Sequence, residues 1–252
     1  MTVVLVPYHL DEYFPDLDVP VVPTSVITPP LPDGTPWERM AYLYEYVADA
    51  VRRGCRDGCP VVASGDCTTA LGTVAGLQRA GLDPAVVWFD GHGDLHTPES
   101  SRSGYLGGMP LRMLAGAGDP TVAERIGLWP VSEERMVLVD ARDLDPPEKV
   151  YLAGSGIRRC PVQGLAEDVL PDGAVYLHLD FDVVDPADLS GLRFPAPGGP
   201  RLAQVLAAAL QVVRTGRVAA VGLACTWHPG RGVGARARAL TDPVLAALGR
   251  AT

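Results

Sequence analysis

No apolar run in this 252-residue chain approaches the roughly 20 residues of a membrane span. The first residues lack the basic start and apolar stretch of a secretory signal, so the expected location is cytoplasmic. Basic residues are also few, with 21 Lys and Arg against 30 Asp and Glu for a net charge of −9. Nucleic acid is therefore not an expected partner, because phosphate binding needs a basic footprint. Cysteines are scarce and irregularly spaced (Cys55, Cys59, Cys67, Cys160, Cys225). They read as reduced cytosolic thiols rather than a disulfide framework. There is no Walker-type phosphate loop. Gly116-Ala117-Gly118 has no strand before it and no third glycine at the right spacing, which disfavours dinucleotide binding. What remains is ordinary globular composition, 47% hydrophobic and 20% charged. A chain of this length buries on the order of 70–75% of its unfolded surface without disulfides.

Short apolar runs alternate with helical patterns from end to end. The expected strands are Val3–Val6, Val61–Ala63, Ala85–Phe89, Met136–Val139, Ala174–Leu179 and Val218–Ala224. Thr35-Pro36-Trp37-Glu38 supplies an N-cap, a proline at the first helical position and a capping-box glutamate. Met40, Leu43, Val47 and Val51 follow at helical spacing, and Gly54 stands where a C-cap belongs. A second helix is expected over Thr69–Ala80 with a stop at Gly81, and a last one over Asp242–Leu248. Strands that are apolar throughout and separated by helices predict a mainly parallel central sheet in a three-layer α/β/α fold. One such domain over residues 1–252 is the economical expectation. Ligands of such a sheet bind at the carboxyl ends of its strands, so the residues just after each strand are the ones to inspect.

Two of those positions are rich in carboxylate and imidazole. Asp90-Gly91-His92-Gly93-Asp94 follows the third strand, and His178-Leu179-Asp180-Phe181-Asp182 closes the fifth. Alternate residues of an extended chain share a face, which predicts that Asp180 and Asp182 point the same way, as do Asp90, His92 and Asp94 if the path stays extended. Four converging carboxylates repel one another unless cations neutralise them, and two divalent ions would. Oxygen-rich donors with an imidazole suit Mn²⁺ better than Zn²⁺.

With Ser64-Gly65-Asp66-Cys67 added, these segments make the chain resemble the arginase/agmatinase (ureohydrolase) family. That family carries a Gly-Gly-Asp-His loop, an Asp-Ala-His-x-Asp loop and a Ser-x-Asp-x-Asp-x-x-Asp-Pro strand. The last matches His178 through Pro186 here. The resemblance spans roughly residues 60–230. It implies an arginase-like fold, two Mn²⁺ ions, a small-molecule substrate, a homo-oligomer, and hydrolysis of a guanidine or amidine C–N bond by metal-bound hydroxide. Carried over by position, it makes Asp90 and Asp180 bridging ligands, gives Asp94 to the first metal and His92 with Asp182 to the second. Asp66 and Asp185 are candidates to support the ligands, with simple loop capping as the alternative.

The chain also departs from that pattern. The Gly-Gly-Asp-His histidine, a ligand of the first metal, is Cys67. A thiolate there would favour Zn²⁺ or Fe²⁺ and add negative charge; otherwise the first metal is weakly held. In the loop from Asp94 to Pro110, the family's proton-shuttling histidine is Gly107, and its two asparagines are His96 and Tyr105. Ser103 is retained from the head-group set. Asp94 and His96 are thus the catalytic candidates, with His96 able to take over proton transfer. His96, Ser103, Tyr105 and Thr226 are the substrate-binding candidates. Thr226 stands where arginase-type enzymes place a glutamate against the guanidinium. A hydroxyl cannot balance a cation but can hydrogen-bond a neutral group, so a less charged reactive carbon is expected. His178 is either a donor behind the ligands or a satisfied core histidine. Gly230 through Arg236 is either a linker into the last helix or an arginine clamp for a substrate carboxylate. The leading expectation is a binuclear metallohydrolase. The alternatives are a degraded relative that keeps one metal for a binding role, and a metal-dependent amide hydrolase.

Overall fold

A computed structural model describes residues 1–251. Ten strands and seven α-helices follow in chain order. They are β1 (Val3–Val6), β2 (Tyr8–His9), β3 (Glu12–Tyr13), β4 (Ser25–Val26), α1 (Pro36–Gly54), β5 (Val61–Ser64), α2 (Ala70–Arg79) and β6 (Ala85–Asp90). Then come α3 (Pro110–Leu114), α4 (Pro120–Ile126), β7 (Met136–Asp140), α5 (Pro146–Gly154), β8 (Arg158–Cys160), β9 (Val175–Asp180), α6 (Leu202–Arg214), β10 (Val218–Ala224) and α7 (Val233–Ala251).

Eight strands form one sheet in the order β4-β1-β5-β10-β9-β6-β7-β8, with every pairing parallel. All the carboxyl ends therefore meet at one rim. Alternation along β6 explains the two cores. Val86 and Trp88 face the side packed by α1 through α4, and Val87 and Phe89 face the side packed by α6 and α7. The mainly parallel three-layer architecture is present as expected.

Local chemistry explains the elements. Thr35 Oγ1 accepts from Glu38 N at 3.3 Å while Glu38 Oε2 accepts from Thr35 N at 2.7 Å, so the capping box opens α1. Met40, Leu43, Tyr44, Val47 and Val51 of α1 are buried. Each expected strand forms within a residue of its bounds. Two edge strands, β4 and β8, escaped the sequence reading because they are two and three residues long and mostly exposed. The last helix is a correction. It begins at Val233 rather than Asp242, and Val233, Ala237, Leu240, Val244 and Leu248 form one buried stripe. Pro243 lies inside it, and with the flanking glycines it hid that stripe from propensity.

Candidate metal centre

β5, β6, β9 and β10 end side by side at the rim, and the segments after them build one pocket of about 230 Å³. All ten candidate ligand, catalytic and substrate-binding residues singled out in the sequence line it: Cys67, Asp90, His92, Asp94, His96, Ser103, Tyr105, Asp180, Asp182 and Thr226. The route differs from simple strand alternation. Asp180 ends β9, but Asp182 sits in the 3₁₀ turn Phe181–Val183. Asp94 adopts φ 53°, so the path from Asp90 bends back rather than staying extended. Left-handed backbone at a non-glycine residue is costly and needs its surroundings to hold it.

The floor is a compact set of buried donors. Cys67 Sγ lies 2.9 Å from Asp180 Oδ2 and 3.9 Å from Asp90 Oδ2. His92 Nδ1 lies 3.1 Å from Asp182 Oδ2 and 3.4 Å from Asp90 Oδ1. Donor atoms of Cys67, Asp90 and Asp180 all fall within 4.8 Å of one another, as do those of Asp90, His92 and Asp182. Asp90 belongs to both groups. Asp94 is buried with Oδ2 unpartnered, one of two such side-chain atoms among the described residues.

Backbone donors aim these carboxylates. His92 N donates to Asp90 Oδ1 at 2.7 Å, Asp182 N to Asp180 Oδ1 at 2.8 Å, and Gly91 N to Asp182 Oδ1 at 3.0 Å. Trp88 Nε1 donates to Asp90 Oδ2 at 3.0 Å, and Thr226 Oγ1 to Asp180 Oδ2 at 3.0 Å. Burial, then the neighbouring carboxylates, push Asp94 and Asp180 well above the usual carboxylate range. Burial followed by Asp180, Asp94 and Asp90 pushes the Cys67 thiol up as well. Burial alone would lower His92, yet its bonds to Asp182 and Asp90 override that and hold it cationic. Buried oxygens held together against repulsion, one of them without any partner, are what a cation site offers. The donor set fits divalent metal, with a thiol that an ion would deprotonate.

The support differs from expectation at several residues. Asp66 accepts from Thr68 N at 2.7 Å and from Leu10 N at 2.6 Å, capping the turn that presents Cys67. Asp185 is no ligand support. It accepts from Ala187 N at 2.8 Å and Gly199 N at 2.9 Å and holds its own loop. His178 is stacked on Trp88 with centroids 3.6 Å apart, and burial lowers it to about 3, so it packs as a neutral core residue. Neither Arg231 nor Arg236 lines the pocket, and Arg236 donates to the backbone oxygens of Ser190 and Arg231.

Above the floor, His96 bridges two partners, with Nδ1 3.1 Å from Ser100 Oγ and Nε2 3.1 Å from Asp145 Oδ2. Ser103 Oγ accepts from Tyr105 N at 3.2 Å. Tyr105 packs on Phe194 with centroids 5.0 Å apart. Sequence reasoning missed Asp143, Asp145, Glu148 and Phe194, all of which line the pocket. The first three follow a recognised strand, β7, so inspecting its carboxyl end would have found them. Left-handed Asp140 and Ala141 (φ 80° and 49°) turn that segment inward. Phe194 lies in a loop without a motif.

The sequence model of the arginase family matches residues 13–225. Arginase of Bacillus subtilis (strain 168) is 36% identical over 154 residues, covering 56% of this chain and 52% of that protein. The N(omega)-hydroxy-L-arginine amidinohydrolase of Streptomyces lavendulae is 34% identical over 155 residues, covering 60% and 55%. The alignments thus span only about half the length of these curated relatives. A crystal structure of arginase from Bacillus subtilis superimposes with TM-score 0.83 at 26% identity, covering 97% of both chains.

Proposed function

The chain belongs to the arginase family, and we propose that it is a binuclear metal-dependent hydrolase of a C–N bond in a small guanidino-, hydroxyguanidino- or amidino-type compound. The observation that carries this reading is the convergence of Cys67, Asp90, His92, Asp94, Asp180 and Asp182 on one pocket floor, with Asp90 common to two donor groups. Cys67, Asp90, Asp94 and Asp180 would hold one ion, and Asp90, His92, Asp180 and Asp182 the other. Mn²⁺ suits the oxygen donors, and Zn²⁺ or Fe²⁺ suits the site with the sulfur. Bound there, two ions supply the positive charge that acidifies a water and polarises a trigonal carbon.

The remaining steps belong to the chain's own groups. Thr226 offers a hydroxyl already committed to Asp180 at the position where arginase-type enzymes place a glutamate against the guanidinium. This favours a substrate whose reactive carbon carries less charge. Asp143 and Asp145 add negative charge to the pocket, suited to an amino group elsewhere on the substrate. His96, fixed between Ser100 and Asp145, and Ser103 would orient that end. The same proposal includes a cytoplasmic homo-oligomer.

Reconstitution with excess Mn²⁺, metal analysis and a substrate panel test this reading. The panel is arginine, agmatine, an Nω-hydroxyguanidine and an N-formimino amino acid. The expected result is two bound ions and release of a substituted urea or formamide, with the Nω-hydroxyguanidine and the N-formimino compound preferred over arginine and agmatine. One ion or none without turnover would instead indicate a binding protein, and acetate release from an acetylated amine would indicate an amide hydrolase. Arginine or agmatine as the best substrate would overturn the charge argument at Thr226.

A further inference from the structure

The hydroxyl of Tyr105 is held from behind by a histidine outside the three segments that carry the family resemblance. Tyr105 Oη lies 3.1 Å from His9 Nε2, and His9 Nδ1 lies 2.8 Å from the carbonyl oxygen of Gly65. A carbonyl has no proton to give, so Nδ1 carries the hydrogen. In neutral imidazole Nε2 is then the acceptor, and Tyr105 must be the donor. The lone pairs of the Tyr105 oxygen are left for the pocket that the residue lines with Asp94, Cys67 and Thr226.

Neither ring is free to drift. His9 is only 6% exposed and lies nearly parallel to Tyr105, with centroids 6.0 Å apart and planes 17° apart. Its strand is stitched to the Cys67 loop, because Gly65 N donates to Tyr8 O at 2.9 Å and Leu10 N to Asp66 Oδ2 at 2.6 Å. Tyr105 fills the space over Gly107, where a Cβ would fall 2.4 Å from its Cζ. Glycine at 107 and tyrosine at 105 are thus one arrangement rather than two separate losses.

Resting on the hydrolase reading above, we propose that Tyr105 and His9 form a proton relay for the reaction. As the attacking water forms its bond to carbon, the Tyr105 oxygen takes one of its protons while the tyrosine's own proton passes to His9 Nε2. His9 becomes an imidazolium and keeps Nδ1–H on Gly65 O. When the C–N bond breaks, Nε2–H returns to the Tyr105 oxygen and the Tyr105 proton goes to the leaving nitrogen. One proton has moved from water to amine, and both residues end as they began. Because the Tyr105 oxygen already gives its own hydrogen to His9 Nε2, it can take a proton from the pocket only as that hydrogen passes to His9.

The decisive variant is His9→Gln, whose amide can still donate to Gly65 O and accept from Tyr105 but cannot store a proton. On a panel compound that the wild-type enzyme hydrolyses, His9→Gln and Tyr105→Phe should each lower kcat by about 10²–10⁴-fold. KM should stay within about threefold, and the double variant should be no worse than either single one. Nitrogen-15 NMR of the zinc-loaded protein should show His9 protonated at Nδ1, with an Nε2 resonance that moves in Tyr105→Phe. Full kcat in His9→Gln, or an Nε2–H tautomer, overturns the relay while leaving the hydrolase reading standing. A wild-type protein inert toward the whole panel removes both.

Discussion

Cys67 decides how the first half of the centre behaves, because it alone places sulfur among oxygens. It is 5% exposed and its thiol points at Asp180 Oδ2, 2.9 Å away. A bound ion must displace that proton and accept an extra negative charge, which weakens the case for a hard ion such as Mn²⁺. Cys67→His would supply a neutral donor in the same turn. The expected outcome is Mn²⁺ affinity higher by on the order of tenfold and a reduced preference for Zn²⁺, read by competition titration. Unchanged affinities would mean that the sulfur does not touch an ion. Thr226 poses the matching question on the substrate side. Thr226→Glu should raise turnover of arginine relative to an uncharged analogue by about tenfold or more, since a carboxylate pairs with a cation where a hydroxyl cannot. Loss of all metal in that variant would show that Thr226 serves mainly to hold Asp180.

At the scale of elements, the loop after β5 matters most, because it carries Cys67 and backs His9. A Cβ at Gly65 would lie 2.5 Å from Tyr8 O, a backbone atom that cannot swing aside. Gly65→Ala should therefore cost about 1–3 kcal/mol, lowering Tm by roughly 2–12 °C at 2–4 °C per kcal/mol. It should also disturb metal binding. Thr35→Ala breaks the exposed capping box of α1, none of whose residues lines the pocket, and should cost about 1 kcal/mol with turnover unchanged. A Gly65→Ala protein with wild-type Tm and metal content would show that the loop yields. These elements also mark what the sequence could express. Capping boxes, apolar strands and the Asp-rich strand ends are local signals, so α1, the central strands and the residues gathered on the pocket floor were legible. Asp145 and Glu148 reach the pocket through the left-handed turn at Asp140 and Ala141, and His9 reaches Tyr105 through a two-residue strand. Neither signal is local. α7 was cut short because Pro243 outweighed a buried stripe whose period spans the whole helix.

For the whole molecule, the parallel sheet both creates the site and sets its cost. Parallel pairing brings the ends of β5, β6, β9 and β10 to one rim, and the residues that follow them place four carboxylates and a thiol within one buried pocket. Two full apolar cores on the faces of the sheet hold that arrangement against its own repulsion. Ions that bind the folded chain and not the unfolded one must then stabilise it by mass action. At a free concentration one hundred times Kd, a single site contributes about 2.7 kcal/mol. For a chain of this size that corresponds to a Tm rise of roughly 5–11 °C. Calorimetry with Mn²⁺ titrated into chelator-treated protein should show that rise, and excess chelator should reverse it. Asp90→Asn, which weakens a carboxylate common to both donor groups, should abolish most of the rise and lower the ion-free Tm modestly, because against its burial Asp90 is held ionised by His92, which would lose that partner. An unaltered Tm across the Mn²⁺ titration would mean that the pocket floor holds no ion, and that the two cores alone bear the repulsion of the carboxylates.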